Sequence, residues 1–493
     1  MKEIVLDNFL KMYPQVPEFS QKNQHYLISG VNPISYLTDG SQEQQIAPLA
    51  ASIDWEEITG IIGGSLEGNI TQMVPSIGGS YTAYGVTDTT KVFGLTGGAV
   101  TSLGYPSGSS SINTTSCCLA IGGNFLFMSR AADSVVYYTA LSPIAWHSFG
   151  TLSSLGGGAH IMEPFVDHVA ISDTTGTSTQ NNLVCLIDPT SGVPSIISTP
   201  YLDLGLGFGV LQMRNFNDKY LAVAFGKSVS GSLTTGYPQN YLCLWDGAAN
   251  SFNYSMKIPG KFIDMKVVDS VLYVAVQVSY NKTCVYQLRG TQLQKVFTTQ
   301  FTTISSGVRS MIPCSLFDFR NYLGVNLNSN SDLVRPIMVY GNDEMGGIEF
   351  VHSSGRLFDQ FVTDYNGNLL ANEYVAGGNS NLYYIPTSNT YQNILYKSQW
   401  VPVKNLQAID VYYDTLPVHT HDAINVTLYG RGEDIITGSS TTVLSSITPT
   451  NYLTAKRTRL DVKGFTGDFV KVQLTTVNDV WQPIIRRVSL ITP

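Results

Sequence analysis

Charge is what this chain has least of. Only 13% of its 493 residues are Asp, Glu, Lys or Arg, and no run of basic residues occurs in it. With 36 acids against 28 bases the formal net charge is −8. That balance excludes a general grip on nucleic acid, because phosphate binding draws on clustered Lys and Arg. Low charge does not come with low hydrophobicity here. Hydrophobic residues make up 43% of the chain, which excludes the disordered class, where high charge accompanies little apolar surface. No apolar run approaches the roughly 18 residues of a membrane-spanning helix, so no membrane insertion is expected. The first ten residues are broken by Glu3 and Asp7 and do not read as a secretory signal.

Catalytic and metal-binding signatures are also missing. No Gly-x-Ser-x-Gly, phosphate loop or His-Glu-x-x-His is present, and no cofactor is expected. The six cysteines (Cys117, Cys118, Cys185, Cys243, Cys284 and Cys314) form no C-x-x-C pair and have no His at ligand spacing. They read as buried thiols, which implies folding in a reducing cytoplasm. His419 and His421, with Asp422, could chelate from one strand face, but a zinc site wants three or four ligands; a solvated hairpin loop is the reading adopted. The stretch Asp364-Tyr-Asn366-Gly-Asn368 lacks the carboxylate that would close a calcium loop and reads as an Asn-Gly hairpin turn. Asn326 to Asp332 has the same weakness.

A repeat is what the chain does have. A polar turn followed by an apolar strand recurs with first residues at Tyr81, Phe125, Val169, Tyr220, Leu272, Tyr322 and Leu369, at intervals of 44 to 52 residues. Clear copies are Asn217-Asp-Lys-Tyr-Leu-Ala-Val-Ala-Phe225 and Val267-Val-Asp-Ser-Val-Leu-Tyr-Val-Ala-Val276. Further strands follow each anchor, and Cys185, Cys243 and Cys284 hold matching places in what read as the second strands. A strand-only period of this size predicts an all-β chain with a β-propeller of about seven blades over residues 61–398. The anchors are taken to include the innermost strands. On that frame Asp167, Asp218 and Asp269, just before their strands, are the acids to weigh as paired carboxylates at the axis, with Arg320 at the equivalent place in a later blade. Turn capping explains the same aspartates more simply.

Residues 1–60 stand outside the repeat as an extended arm that can form a short helix over Asp7 to Tyr13; docking on its own propeller or C-terminal domain is the favoured reading, and reaching a neighbouring subunit the alternative. Residues 399–493 change spacing and alternate in hydrophobicity, as at Ile424, Val426 and Leu428, which predicts a C-terminal β-sandwich. Trp146, Trp245 and Trp400 stand near strand ends and read mainly as packing residues. Possible partner contacts are the arm's Phe9, Tyr13 and Phe19, with Tyr237 in the long loop from Lys227 to Gln239.

An N-terminal arm, an uncapped propeller and a final strand domain resemble the propeller-containing virion proteins of tailed bacteriophages, of the tail hub or nozzle type. Asn8-Phe-Leu-Lys-Met-Tyr-Pro14 and Ile28-Ser-Gly-Val-Asn-Pro-Ile34 look like the openings of such proteins. So do Tyr396-Lys-Ser-Gln-Trp400, Ala408-Ile-Asp-Val-Tyr-Tyr413, Asn425-Val-Thr-Leu428, Arg457-Thr-Arg-Leu460 and Ile485-Arg-Arg-Val-Ser-Leu-Ile491. The resemblance implies a non-enzymatic, homo-oligomeric tube component, folded in the host cytoplasm and placed in the virion tail. Its partners would be portal-adaptor rings and fibres, with passing contact with DNA. A fibre or baseplate module that binds cell-surface glycan is the alternative, and a propeller glycosidase or lectin the third.

Overall fold

The computed structural model describes residues 2–6, 25–29, 56–62, 67–106 (except 97), 117–150 (except 132), 152, 160–174, 181–227 (except 191), 239–279, 282–299, 314–319, 322–327, 336–340, 347–352, 358–373, 379–385, 394–413 (except 399 and 404), 423–431, 440–447 (except 445), 457–477 (except 464 and 466) and 485–493. All of its regular structure there is strand. The chain divides into two compact units, each drawn from separated segments: residues 56–335 with 353–384, and residues 1–55 with 336–352 and 385–493. The expected division was instead a sequential one.

The first unit is a β-propeller. Its blades are antiparallel meanders whose first strands are Ile70–Pro75, Cys117–Gly122, Met162–Phe165, Phe208–Phe216, Lys261–Val268, Cys314–Phe319 and Phe358–Thr363. Each first strand neighbours the next in this order, and the seventh neighbours the first, so these strands surround an axis. The fourth strand of the seventh blade comes from the other end of the ring: Glu56 and Glu57 pair with Tyr384 and Tyr383. Nearby, Gly60–Ile62 runs parallel to Ala99–Gly104 on the outer edge of blade 1. Closure by a shared strand ties the two ends of the array together.

Six of the seven sequence anchors lie in the second strand of their blade, not the innermost, and Tyr81 stands two residues before its own. Ala83–Thr87, Phe125–Arg130, His168–Asp173, Tyr220–Lys227, Val271–Ser279, Tyr322–Leu327 and Leu369–Glu373 each pair with the first strand that precedes them. The repeat frame expected from sequence is therefore corrected by one strand. Cys185, Cys243 and Cys284 accordingly sit in third strands. The physical reason is burial on both faces. In blade 4, Leu221, Val223 and Phe225 pack with blade 3, while Ala222 and Ala224 pack with blade 5. A strand covered by both neighbouring blades loses the polar alternation of a one-sided strand and becomes the most conspicuous phrase in the sequence.

The second unit contains two sheets. In one, Lys2–Leu6 pairs with Ile485–Thr492, which pairs with Ala408–Tyr413 and then Arg457–Asp461. The other includes His25–Ser29, Leu395–Ser398, Phe469–Val477, Ala423–Arg431 and Ser440–Val443, with the hairpin Pro336–Tyr340 and Gly347–His352 on its His25–Ser29 side. Two described strands of the N-terminal arm, Lys2–Leu6 and His25–Ser29, thus dock among C-terminal strands, while Glu56–Glu57 completes blade 7. In the first sheet the buried Asp410 carboxylate receives hydrogen bonds from Arg457 and Arg459 on the neighbouring strand. Burial alone would raise its pKa, but those two guanidiniums hold it below the usual carboxylate range.

Candidate functional site

In a propeller the axis is where several blades bring side chains together, so the first strands are the place to look for a site. Four of them carry a bulge followed by a polar residue, with register shifts between Ile70 and Gln72, Val210 and Gln212, Phe262 and Asp264, and Phe358 and Gln360. A bulge re-aims the side chain that follows it. The local phrase is an apolar residue, any residue, Gln or Asp, then Met or Phe: Ile70-Thr-Gln-Met73, Val210-Leu-Gln-Met213, Phe262-Ile-Asp-Met265 and Phe358-Asp-Gln-Phe361.

These residues and their counterparts bond across every junction of the ring. Gln72 accepts the N–H of Leu119 at 2.7 Å. Cys118 Sγ accepts Met162 N–H at 3.2 Å. Glu163 accepts Asn215 N–H at 3.1 Å and pairs with Arg214 at 3.3 Å. Arg214 Nε also donates to Met265 O at 3.0 Å, and Gln212 donates to Asp264 at 2.9 Å. Asp264 then accepts Leu316 N–H at 2.7 Å. Thr363 donates to Asp318 O, and Asn326 donates to Phe358 O at 3.1 Å. Gln360 completes the circuit by donating to Thr71 O.

Charge concentrates on blades 3 to 6, where Glu163, Arg214, Asp264, Lys266 and Asp318 interact. Lys266 is held below the usual lysine range by burial and then by the Arg214 guanidinium, while Glu163, Asp264 and Asp318 oppose that shift. The carboxylates are engaged as acceptors: Asp264 takes Gln212, Leu316 N–H and its own neighbour Met265 N–H at 2.8 Å. Such an arrangement fixes the spacing of blades. A pair of acids flanking a scissile bond would instead need one carboxyl kept available as proton donor.

The sequence-derived candidates fall elsewhere. Asp167, Asp218 and Asp269 occupy the turns between first and second strands, among Val166, Asn217, Asp218, Asp269 and Ser270 at positive φ (52°, 60°, 50°, 46° and 63°). The structure does not bring them together at the axis; they are turn residues. Asp364 caps its hairpin by accepting Asn366 and Asn368 N–H at 2.9 and 2.8 Å. Trp245 is fully buried, donates to Ala249 O at 2.5 Å and stacks on Phe165. Trp146 donates to Leu103 O at 3.0 Å, and Lys471 lies over Trp400. Phe9, Tyr13, Phe19, Tyr237, Arg320, His419, His421 and Asp422 lie outside the described residues, as does the helix expected over Asp7 to Tyr13. Sequence reading missed Gln72, Glu163, Gln212, Arg214, Asp264 and Gln360. For Gln72, Gln212, Asp264 and Gln360 the signal was the four-residue phrase in four of the first strands; Glu163 and Arg214 stand outside it.

No family model and no curated protein matches the chain. Among solved structures it is similar to the beta-propeller domain of Cps50 (Swd1) from Myceliophteria thermophila, with a TM-score of 0.45 and 14% identity over 67% of this chain and 99% of that one. Streptogramin B lyase gives a TM-score of 0.40 and 10% identity, over 68% and 97% of the two chains. The luciferin-regenerating enzyme gives 0.33 and 9%, over 55% and 89%.

Proposed function

We propose that this chain is a non-enzymatic structural protein of a tailed-bacteriophage virion, a tail nozzle or hub component that lines or closes the DNA exit channel. The observation that carries the structural role is the circuit of inter-blade bonds. The axial acids Glu163 and Asp264 are spent on holding adjacent blades, as suits a part whose task is shape. The virion assignment is supported by the resemblance of segments that fold together. Residues 396–400, 408–413, 425–428, 457–460 and 485–491 belong to one compact unit, and Ile28 of the arm pairs with Tyr396. The net charge of −8 is compatible with a wall along which DNA slides without sticking. In this reading the partners are other tail proteins and further copies of the chain, assembled in the host cytoplasm.

Electron microscopy of the purified protein, with sedimentation to give its mass, tests the reading. A ring of several copies around a central passage is the expected result. A monomer that is retained on glycan arrays would overturn it in favour of a fibre or baseplate module. Polysaccharide hydrolysis that disappears in Asp167→Ala, Asp218→Ala or Asp269→Ala would overturn it in favour of an enzyme.

A further inference from the structure

The antiparallel meander sends the turns between first and second strands, and those between third and fourth, to one rim of the propeller. On that rim a cleft of about 490 Å³ opens between blades 2 and 3. Gly123, Asn124 and Phe125 come from the first hairpin of blade 2, Val166 and Asp167 from that of blade 3, and Pro189 and Thr190 from the last turn of blade 3. Among the described residues no lysine or arginine lines it.

Three features of the cleft point to one kind of ligand. The Asp167 carboxylate lines the wall yet makes no hydrogen bond or ion pair with any described residue. Asp188, next to the lining residue Pro189 but not itself in the wall, accepts Thr190 Oγ1–H at 2.5 Å and Thr190 N–H at 2.8 Å, and these bonds hold it below the usual carboxylate range. Among the described residues the cleft thus meets carboxylates without a lysine or arginine beside them, with His168 near Asp188. Beside these acids lie apolar walls, the half-buried Phe125 ring, Pro189 and Val166. Val166 is the telling one. It is a β-branched residue at φ 52° with a relative exposure of 55%. A backbone of that kind costs about 1–3 kcal/mol, and burial of the side chain does not offset it. Gly or Asn would make the same turn without the strain, but neither would present an apolar wall to the cleft.

We propose that this cleft receives a lysine or arginine side chain from a protein partner. The methylene stem lies against Val166 and Pro189, and the cationic head meets the Asp167 carboxylate within reach of the Phe125 ring and the Asn124 side-chain carbonyl. A carboxylate beside an aromatic face suits a cation that is partly desolvated. The rim as a whole favours a basic partner: among the described residues Asp218, Asp246, Asp269 and Asp364 lie in its other turns, against Lys219 and Arg289. For the same reason a second copy docking by its own acidic rim is disfavoured, as is DNA.

The test uses the full chain with labelled valine methyls and Asn side-chain amides, followed by NMR. The probes are the blocked peptides acetyl-Gly-Ser-Lys-Ser-Gly-amide, its Arg version and its norleucine version, which keeps the stem and removes the charge. The Lys and Arg peptides should shift the Val166 and Asn124 signals saturably, at least tenfold more tightly than the norleucine peptide. Asp167→Asn keeps a residue suited to the turn and should abolish that preference while leaving the rest of the spectrum in place. Val166→Gly relieves the strain and should weaken all three peptides together. Equal binding of the norleucine peptide, an unchanged preference in Asp167→Asn, or the same shifts produced by galactose would each overturn the proposal.

Discussion

Replacing Asp264 tests the inter-blade circuit most directly, because one carboxylate there serves three donors on three blades. Asp264→Ala strands the N–H groups of Leu316 and Met265, both on buried residues, and the amide of Gln212. An unsatisfied buried donor costs about 1–3 kcal/mol. Gln212 is only half-buried, and water can replace its lost acceptor, so the two backbone donors set the scale at about 4 kcal/mol. Asp264→Asn should cost roughly half as much, about 2 kcal/mol. Its single carbonyl can still serve Leu316, and Gln212 can rotate to offer the side-chain oxygen that now lacks a partner. Urea denaturation followed by tryptophan fluorescence gives the global loss. Hydrogen exchange over Lys261–Val268 and Cys314–Phe319 gives the local one. Asp167→Ala, on an exposed turn, should stay within about 0.5 kcal/mol of the parent. If Asp264→Ala also stays within 1 kcal/mol and exchange at Leu316 is unchanged, the ring is held by packing alone and the reasoning fails.

Other outcomes follow from the same geometry. Gly85→Ala would drive its new methyl into the Phe93 ring at a cost of about 1–3 kcal/mol, and thermal denaturation should show partial recovery in Gly85→Ala with Phe93→Leu. Burial pushes the Cys118 and Cys185 thiols up to about 11 and raises Cys243 as well, so a disulfide reagent at pH 8 should leave these three unmodified until the protein is unfolded. Asp410 has a folded pKa below that of the unfolded chain, near 3.9. Its contribution to stability is therefore present above about pH 4 and is lost as pH falls through the folded value. Asp410→Asn should lower the melting temperature at pH 7 and flatten that acid limb of the stability curve.

What the sequence made legible was what burial had simplified. The second strands, such as Leu221 to Phe225, are apolar on both faces and announce the period, which is why the all-β class and the propeller could be read. The first strands were overlooked because a bulge and a Gln or Asp interrupt their pattern, and those interruptions are the axial circuit itself. Taking the anchors as innermost then moved the search for axial acids to Asp167, Asp218 and Asp269, one strand end away from Glu163 and Asp264. Ring closure was equally hidden: Glu56 and Glu57 form a two-residue strand whose sequence carries no strand preference. The hairpin from Pro336 to His352 reads locally like any other in the repeat, and only tertiary grouping assigns it to the unit that also holds Lys2–Leu6.

Both units are sealed by contacts between distant parts of the chain, and that has a consequence for biosynthesis. Gly68 donates to the side chain of Asn379, 311 residues later, and Ile70 to that of Ser380, 310 residues later. Arg487 pairs with Glu3 across 484 residues. A chain leaving the ribosome must therefore hold its early strands unpaired until the late ones arrive, and pairing at such separation is slow. During that interval open sheet edges are available to neighbouring nascent chains. Yield of folded protein should accordingly depend on the rate of synthesis and on chaperone supply more than on the stability finally reached.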